Sequence, residues 1–169
     1  RYGSSADQTL SGVISGSGGV TKDTNASSIL TLTGANTYTG ATTITAGTLR
    51  IGNGGNTGSL STSSAISNTA TLAFNRNDTV TQGTHFASAI GAGAGAVVQA
   101  GTGTLVLNGA NLYTGATTAA AGTLRLDLAT GSLSSSSPLS MTGGRFEIRG
   151  NGSGTSTQTL GAMTMAART

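Results

Sequence analysis

Residues 30–51 read Leu-Thr-Leu-Thr-Gly-Ala-Asn-Thr-Tyr-Thr-Gly-Ala-Thr-Thr-Ile-Thr-Ala-Gly-Thr-Leu-Arg-Ile. Residues 105–126 repeat them as Leu-Val-Leu-Asn-Gly-Ala-Asn-Leu-Tyr-Thr-Gly-Ala-Thr-Thr-Ala-Ala-Ala-Gly-Thr-Leu-Arg-Leu, identical at 16 of 22 positions. A repetition this close has to be explained before any single residue, because stacked repeats restrict a chain to a few architectures. Within each copy the apolar residues come as i, i+2 couples. Leu30/Leu32 are followed by Leu49/Ile51, and at the same interval Leu105/Leu107 are followed by Leu124/Leu126. Leu72/Phe74, Phe146/Ile148 and Met163/Met165 extend the series. An i, i+2 couple puts both side chains on one face of a strand. No window holds the i, i+3, i+4, i+7 pattern of an amphipathic helix, and β-branched residues outnumber good helix formers.

Strand couples recurring at so short an interval, with brief Gly, Asn and Ser links, predict an all-β solenoid. The expected form is a right-handed parallel β-helix with coils of about 19 residues and no substantial helix. Leu30, Leu32, Leu49, Ile51, Leu72, Phe74, Leu105, Leu107, Leu124, Leu126, Phe146 and Ile148 are its expected inward ladder, coils stacking at about 4.8 Å. Gly34, Gly40, Gly47, Gly109, Gly115 and Gly122 are expected at corners needing positive φ, and Asn36 and Asn111 beside them as turn residues. An antiparallel sandwich is the competing architecture; the short recurrence of the couples favours the solenoid.

The larger period is about 75 residues. Gln8-Thr-Leu, Gln82-Gly-Thr and Gln158-Thr-Leu open successive copies, each of the first two with a glycine-rich lead-in and a serine-rich follower. The chain therefore reads as one segment, 1–169, with copies at 8–81 and 82–157 and a partial one at 158–169. Gly, Ser and Thr fill 80 of 169 positions and charged residues only 8%, which by itself suits a disordered tract. The apolar 36% falls in alternating clusters, which suits an ordered one.

The long motif at 30–51 closely resembles the passenger-associated transport repeat of bacterial autotransporters, also called the autotransporter-associated β-strand repeat. Residues 105–126 match it less fully, departing at Leu112, Ala119 and Ala120. The glycine-rich lead-ins at 14–20 and 90–97 fit the same context. The resemblance implies a β-helical piece of an exported passenger, displayed or released at a Gram-negative-type surface. It also implies a role in transport and folding of the passenger rather than catalysis.

The residues themselves offer little for chemistry. Asp7, Asp23, Asp78, Asp127 and Glu147 are the five carboxylates, scattered where acid–base cleavage of a polysaccharide needs a cluster. Asp78 with Asn75 and Asn77 reads as a turn rather than a cation loop. His85, the single histidine, can be drawn with Asp78 and a serine as a triad, but no strand–Gly-x-Ser-x-Gly–helix elbow is present. One histidine and no cysteine leave no metal site and no disulfide framework. Gly16-Ser-Gly-Gly19 and the Gly-Ala run at 91–95 lack the helix and lysine of a phosphate loop. No catalytic, cofactor or metal residue is assigned. Tyr38 and Tyr113, equivalent in the two copies, are candidates for stacking on sugar rings, although a ring over a corner with a wet hydroxyl is the preferred reading. Arg50 and Arg125 are likewise equivalent and would form a sparse positive track toward anionic glycan, or a solvated face that discourages wrong strand pairing.

A net charge of +3 and pI near 10.0 reflect scarce charges and do not point to nucleic acid. No apolar run is long enough to span a bilayer as a helix, and no basic-then-apolar leader opens the chain, so any export signal is expected to have been removed or to lie outside this segment. Neither end shows a cap, which is expected of a continuing chain or of head-to-tail self-stacking. These readings converge on an extracellular or cell-surface structural segment: a stalk, coat or filament. A glycan-binding adhesin module is the alternative, and a β-helix polysaccharide enzyme comes third.

Overall fold

The computed structural model describes residues 1–166. Among them there are fifteen strands, every pairing is parallel, and no helix is present. Eight strands form one sheet along the molecule: β1 (Gln8–Leu10), β3 (Ile29–Leu32), β5 (Thr48–Ile51), β7 (Thr71–Phe74), β9 (Ala96–Gln99), β11 (Thr117–Ala119), β13 (Leu139–Met141) and β15 (Met163–Met165). A second sheet contains β2 (Val20–Lys22), β4 (Thr42–Ile44) and β6 (Ile66–Asn68). A third contains β8 (Thr79–Thr81), β10 (Thr104–Leu107), β12 (Thr123–Asp127) and β14 (Arg145–Arg149). This is a parallel β-solenoid of about seven coils averaging roughly 22 residues.

The shorter coil expected from the couples holds for some steps and not others. Leu30 pairs with Leu49 at the expected interval, but Leu49 pairs with Leu72 and Leu72 with Val97, each a longer step than the one before. Strand couples fix the ladder, whereas corner loops are free to vary in length, so the shortest coil is not the average one. Leu32 faces Ile51 in the adjacent coil, and Leu107 faces Leu126.

Alternation does the sorting. In β5, Leu49 and Ile51 are buried while Thr48 and Arg50 are half-buried on the outer side. The inner ranks combine into one core, with Leu30, Leu32, Leu72, Phe74, Leu105, Leu107, Leu124 and Leu126 each 1% exposed or less. Phe74 adds a tilted aromatic pair with Phe86, centroids 4.7 Å apart. The ladder weakens toward the last coils. Phe146 is half-buried and Ile148 is 52% exposed, because among the described residues no strand pairs with the outer edge of β14. Met163 and Met165 do not continue the Phe146/Ile148 rank; they lie over Leu139 and Met141 in the long sheet.

The corner glycines are of two kinds. Gly47 and Gly122 take positive φ, +69° and +51°, at the tight turn before β5 and β12. Gly34, Gly40, Gly109 and Gly115 are not in the left-handed region, contrary to the sequence expectation. A Cβ at these four would collide with the backbone of the preceding coil, at Gly12, Gly18–Gly19, Ser88 and Gly95 respectively. Close coil-to-coil approach, not φ, requires glycine there.

Candidate functional site

Each motif copy folds its polar residues inward. Asn36 is 4% exposed and binds three coils. Its Oδ1 accepts the Ile14 N–H at 2.8 Å, and its Nδ2 donates to Gly34 O at 3.2 Å and Ser59 O at 2.7 Å. Asn111 repeats this with Ile90 N–H, Gly109 O and Ser132 O, and adds Gln82 as a fourth partner at 2.7 Å. These asparagines are corner residues, as expected, but they are buried connectors between coils and not left-handed turn residues.

Tyr38 and Tyr113 depart most sharply from the sequence expectation. Both are 0% exposed, so neither offers a ring to a sugar nor a hydroxyl to water. The Tyr38 hydroxyl lies 2.6 Å from Thr42 Oγ1, which lies 2.8 Å from Ser64 Oγ in the next coil. Tyr113, Thr117 and Ser137 form the same chain at 2.7 and 3.0 Å, and Ser137 donates onward to Gly115 O. Burial raises the pKa of both phenols, with the Thr42 and Ser64 bonds opposing it at Tyr38 and the Thr117 bond at Tyr113. A buried tyrosine needs a partner for its O–H. The Tyr-x-x-x-Thr spacing, present in both copies, is the sequence signal that supplies it.

Lys22 belongs to no motif, although it is the single lysine of the chain and stands two residues after Val20. Its side chain is fully buried at the tight turn of Gly47, where Nζ donates to the carbonyls of Thr24 and Ala46, the latter at 3.1 Å. Burial lowers its pKa against the attraction of Asp23 and Asp7. In the second copy Gln99 takes this role, donating to Gly101 O at 2.8 Å and Gly103 O at 3.0 Å.

The arginines do not form a track. Arg50 sits on the long sheet, its Nε donating to Thr31 Oγ1 at 3.1 Å, whereas Arg125 sits on the third sheet, paired with Glu147 at 2.9 Å. Equivalent in sequence, they occupy different faces.

The carboxylates are engaged locally. Asp7 accepts the Ile29 N–H at 2.8 Å, Asp23 holds Arg1 at 2.6 Å, and Asp127 accepts the Ala129 N–H at 3.1 Å. Asp78 accepts two bonds from Arg76, at 2.8 and 2.6 Å, which hold its carboxyl below the usual range. Arg76 also donates to Gly58 O at 2.7 Å. His85 Nδ1 accepts the Thr81 N–H at 3.0 Å, a structural bond and not the start of a triad. Among the described residues no three His, Cys, Asp or Glu side chains converge as metal ligands. The lateral surface has a recess of about 350 Å³ above the serine-rich corner, lined by Asn36, Thr37, Ser59, Leu60, Ser61 and Thr84 among others.

Fold and interior together define a repeat protein whose motif residues bind coil to coil. Residues 27–51 and 97–126 match the model of the passenger-associated-transport-repeat family. An autotransporter described as the adhesin BmaC, from Brucella suis biovar 1 (strain 1330), is 48% identical over 79 residues, covering 46% of this chain and 2% of that protein. The chain thus spans a small fraction of the length of the curated relative it matches. No solved structure matches. The chain thus carries two copies of the passenger-associated transport repeat, which is found in autotransporters whose passengers are surface-exposed or secreted.

Proposed function

We propose that these coils serve as a length of non-catalytic stalk within a surface-displayed passenger. The carrying observation is where the motif spends its polar groups: Asn36 and Thr42, with Asn111 and Thr117, bond to neighbouring coils inside the solenoid, and Tyr38 and Tyr113 join them through those threonines. A repeat built this way propagates coil stacking, each finished coil serving as the template for the next. Repetition then supplies length and rigidity. It also suits a chain that crosses a membrane unfolded and folds progressively outside.

Among the described residues, β1, β14 and β15 pair on one side only. In a longer passenger their outer edges would carry adjoining coils; in the isolated segment they would favour head-to-tail stacking into filaments. Electron microscopy and small-angle scattering of the purified segment test both parts. A rod whose length grows with concentration is expected, and dispersed compact particles at every concentration would count against self-stacking.

A second reading, lateral adhesion, draws on the adhesin relative and on the recess beside Asn36, Ser59 and Ser61. Glycan-array and host-surface binding by the isolated segment separates the two. The stalk reading expects no binding. Binding abolished by Ser61→Arg or Thr84→Arg, in a chain that still folds, would establish the adhesive reading instead.

A further inference from the structure

Successive copies of the repeat do not stack face over face. Leu30, Leu49 and Leu72 form one rank of the long sheet, and the next residue in that rank is Val97. Leu105, the sequence counterpart of Leu30, stands on the third sheet, over Val80. From Leu30 to its counterpart the chain completes three coils and then passes one further face. The rest of the second copy is displaced in the same sense. Its β11 and β13 lie in the long sheet, while their counterparts β4 and β6 lie in the second. Its Tyr113 corner rides on the continuation of that second sheet, with Leu112 N–H donating to Ile90 O at 3.0 Å and Thr114 N–H to Gly93 O at 2.8 Å.

The next junction makes the same step. The second copy begins over the serine-rich corner of the first, where Leu60 N–H donates to His85 O at 2.9 Å. The third begins over the serine-rich corner of the second, where Gln158 brackets the Leu133 peptide with two bonds of 2.9 Å. No single side-chain latch sets the step, because Arg76 and Asp78 at the first junction give way to Gly150 and Gly152 at the second. The cause is length. A repeat of about 75 residues wound at roughly 22 per coil leaves a remainder of about one strand and its turn.

We infer that each repeat advances the solenoid by three and one third coils, so that equivalent residues of successive repeats point in three directions in turn. They return to the same face after three repeats, about ten coils or about 48 Å along the axis. This goes beyond the stalk assignment and stands without it. Its consequence is for lateral recognition. Along one face the residues alternating with the core rank run Thr31, Arg50, Ala73, Val98 and Thr118, which is not a repeating series, and of these Thr31 and Ala73 are buried while Arg50, Val98 and Thr118 are partly exposed. A straight polymer laid on that face meets unlike residues from repeat to repeat. A partner that reads the repeat has to be compact and engage one copy, or carry sites spaced about 48 Å apart.

Cysteine pairs in this otherwise cysteine-free chain test the phase directly. Ala73 is opposite Val98; stacking in phase would instead set Leu72 over Leu105 and therefore Ala73 over Val106. Directly opposed Cα atoms of neighbouring strands are within disulfide range. On mild oxidation Ala73→Cys with Val98→Cys is expected to lose both thiols as an intramolecular bond, while Ala73→Cys with Val106→Cys keeps them. Thr71→Cys with Ala96→Cys, set against Thr71→Cys with Thr104→Cys, is the companion set if position 73 tolerates no change. The A73C/V98C and T71C/A96C pairs staying reduced in chains that retain β circular dichroism would overturn the inference, as would closure of the Val106 or Thr104 pair.

Discussion

Tyr113 Oη stands 2.7 Å from Thr117 Oγ1, and neither group reaches solvent. Tyr38 and Thr42 repeat the relationship at 2.6 Å. In each copy a serine of the next coil completes a chain of three hydroxyls. The family motif is therefore best understood from the inside. Its tyrosine fills the corner, its threonine four positions on satisfies the phenol, and the serine-rich follower supplies the last partner. Tyr113→Phe keeps the ring and removes the bond, so a loss of about 1 kcal/mol is expected in urea unfolding. Tyr113→Ala also empties the corner and is expected to cost about 3–5 kcal/mol.

The same phenols give the molecule an alkaline limit. Burial raises their folded-state pKa above the unfolded value of about 10. Their contribution is fully present below pH about 10 and is lost as pH climbs from there through the raised folded values. The double variant Tyr38→Phe, Tyr113→Phe should start less stable at neutral pH yet lose less between about pH 10 and 12. Lys22 runs in the opposite sense. Its pKa is lowered, so its penalty is present below the folded value and relieved as pH rises toward the unfolded value near about 10.4. Denaturant midpoints measured across this range, with Lys22→Gln as a background, separate the two.

Lys22 and Gln99 perform one task with different chemistry, donating to the carbonyls of a glycine turn. Lys22→Gln should therefore be tolerated within about 1 kcal/mol. Lys22→Met leaves the carbonyls of Thr24 and Ala46 without that donor and is expected to cost about 1–3 kcal/mol. Equal losses for the two substitutions in chemical denaturation would rule out donation as the function of this side chain.

Much of this architecture is legible in the sequence because strand alternation and repetition are local. Leu30/Leu32 and Leu49/Ile51 announce a ladder in any register that keeps them inside. The phase between copies is not local. It depends on loop lengths summed over three coils, so the sequence places Leu105 beside Leu30 as an equivalent without saying that it faces another way. Tyr38 misleads for a related reason. Exposure of an aromatic at a corner depends on whether the adjacent coil closes over it, and only the pairing of its hydroxyl with Thr42 reveals that it does. Gly34 and Gly109 carry the same lesson, since a glycine needed for contact between coils looks in sequence like one needed for φ. Lys22 stands two residues after Val20, as Gln99 does after Val97, but its charge masks that inward position, and its apolar stem and turn carbonyls come together only in the fold.

The glycines offer a contrast free of φ effects. Gly109 and Gly12 both lie outside the left-handed region, but a Cβ at Gly109 would strike the Ser88 carbonyl and one at Gly12 meets open space. Gly12→Ala should be neutral or slightly stabilising, since it only reduces the freedom of the unfolded chain. Gly109→Ala must push apart two coils and disturb the Gln82–Asn111 pair beneath, so a loss of about 2–4 kcal/mol is expected. Comparable midpoints for the two variants would exclude close coil approach as the reason for this glycine.

Acid should act through the Arg76–Asp78 corner. Asp78 is held below the carboxylate range chiefly by its two bonds from Arg76, and Arg76 in turn grips Gly58 O in the preceding coil. A depressed folded pKa means stability present above the unfolded value of about 3.9 and lost as pH falls through the folded one. Asp78→Asn removes that dependence and should flatten the acid limb of the stability curve, while Arg76→Met should both flatten it and lower the neutral plateau, because Gly58 O loses its donor in a buried place. An Asp78→Asn chain whose acid limb matched the unmodified one would assign acid sensitivity to another carboxylate, with Glu147, held below the usual range by its bond from Arg125, next in line for the same measurement.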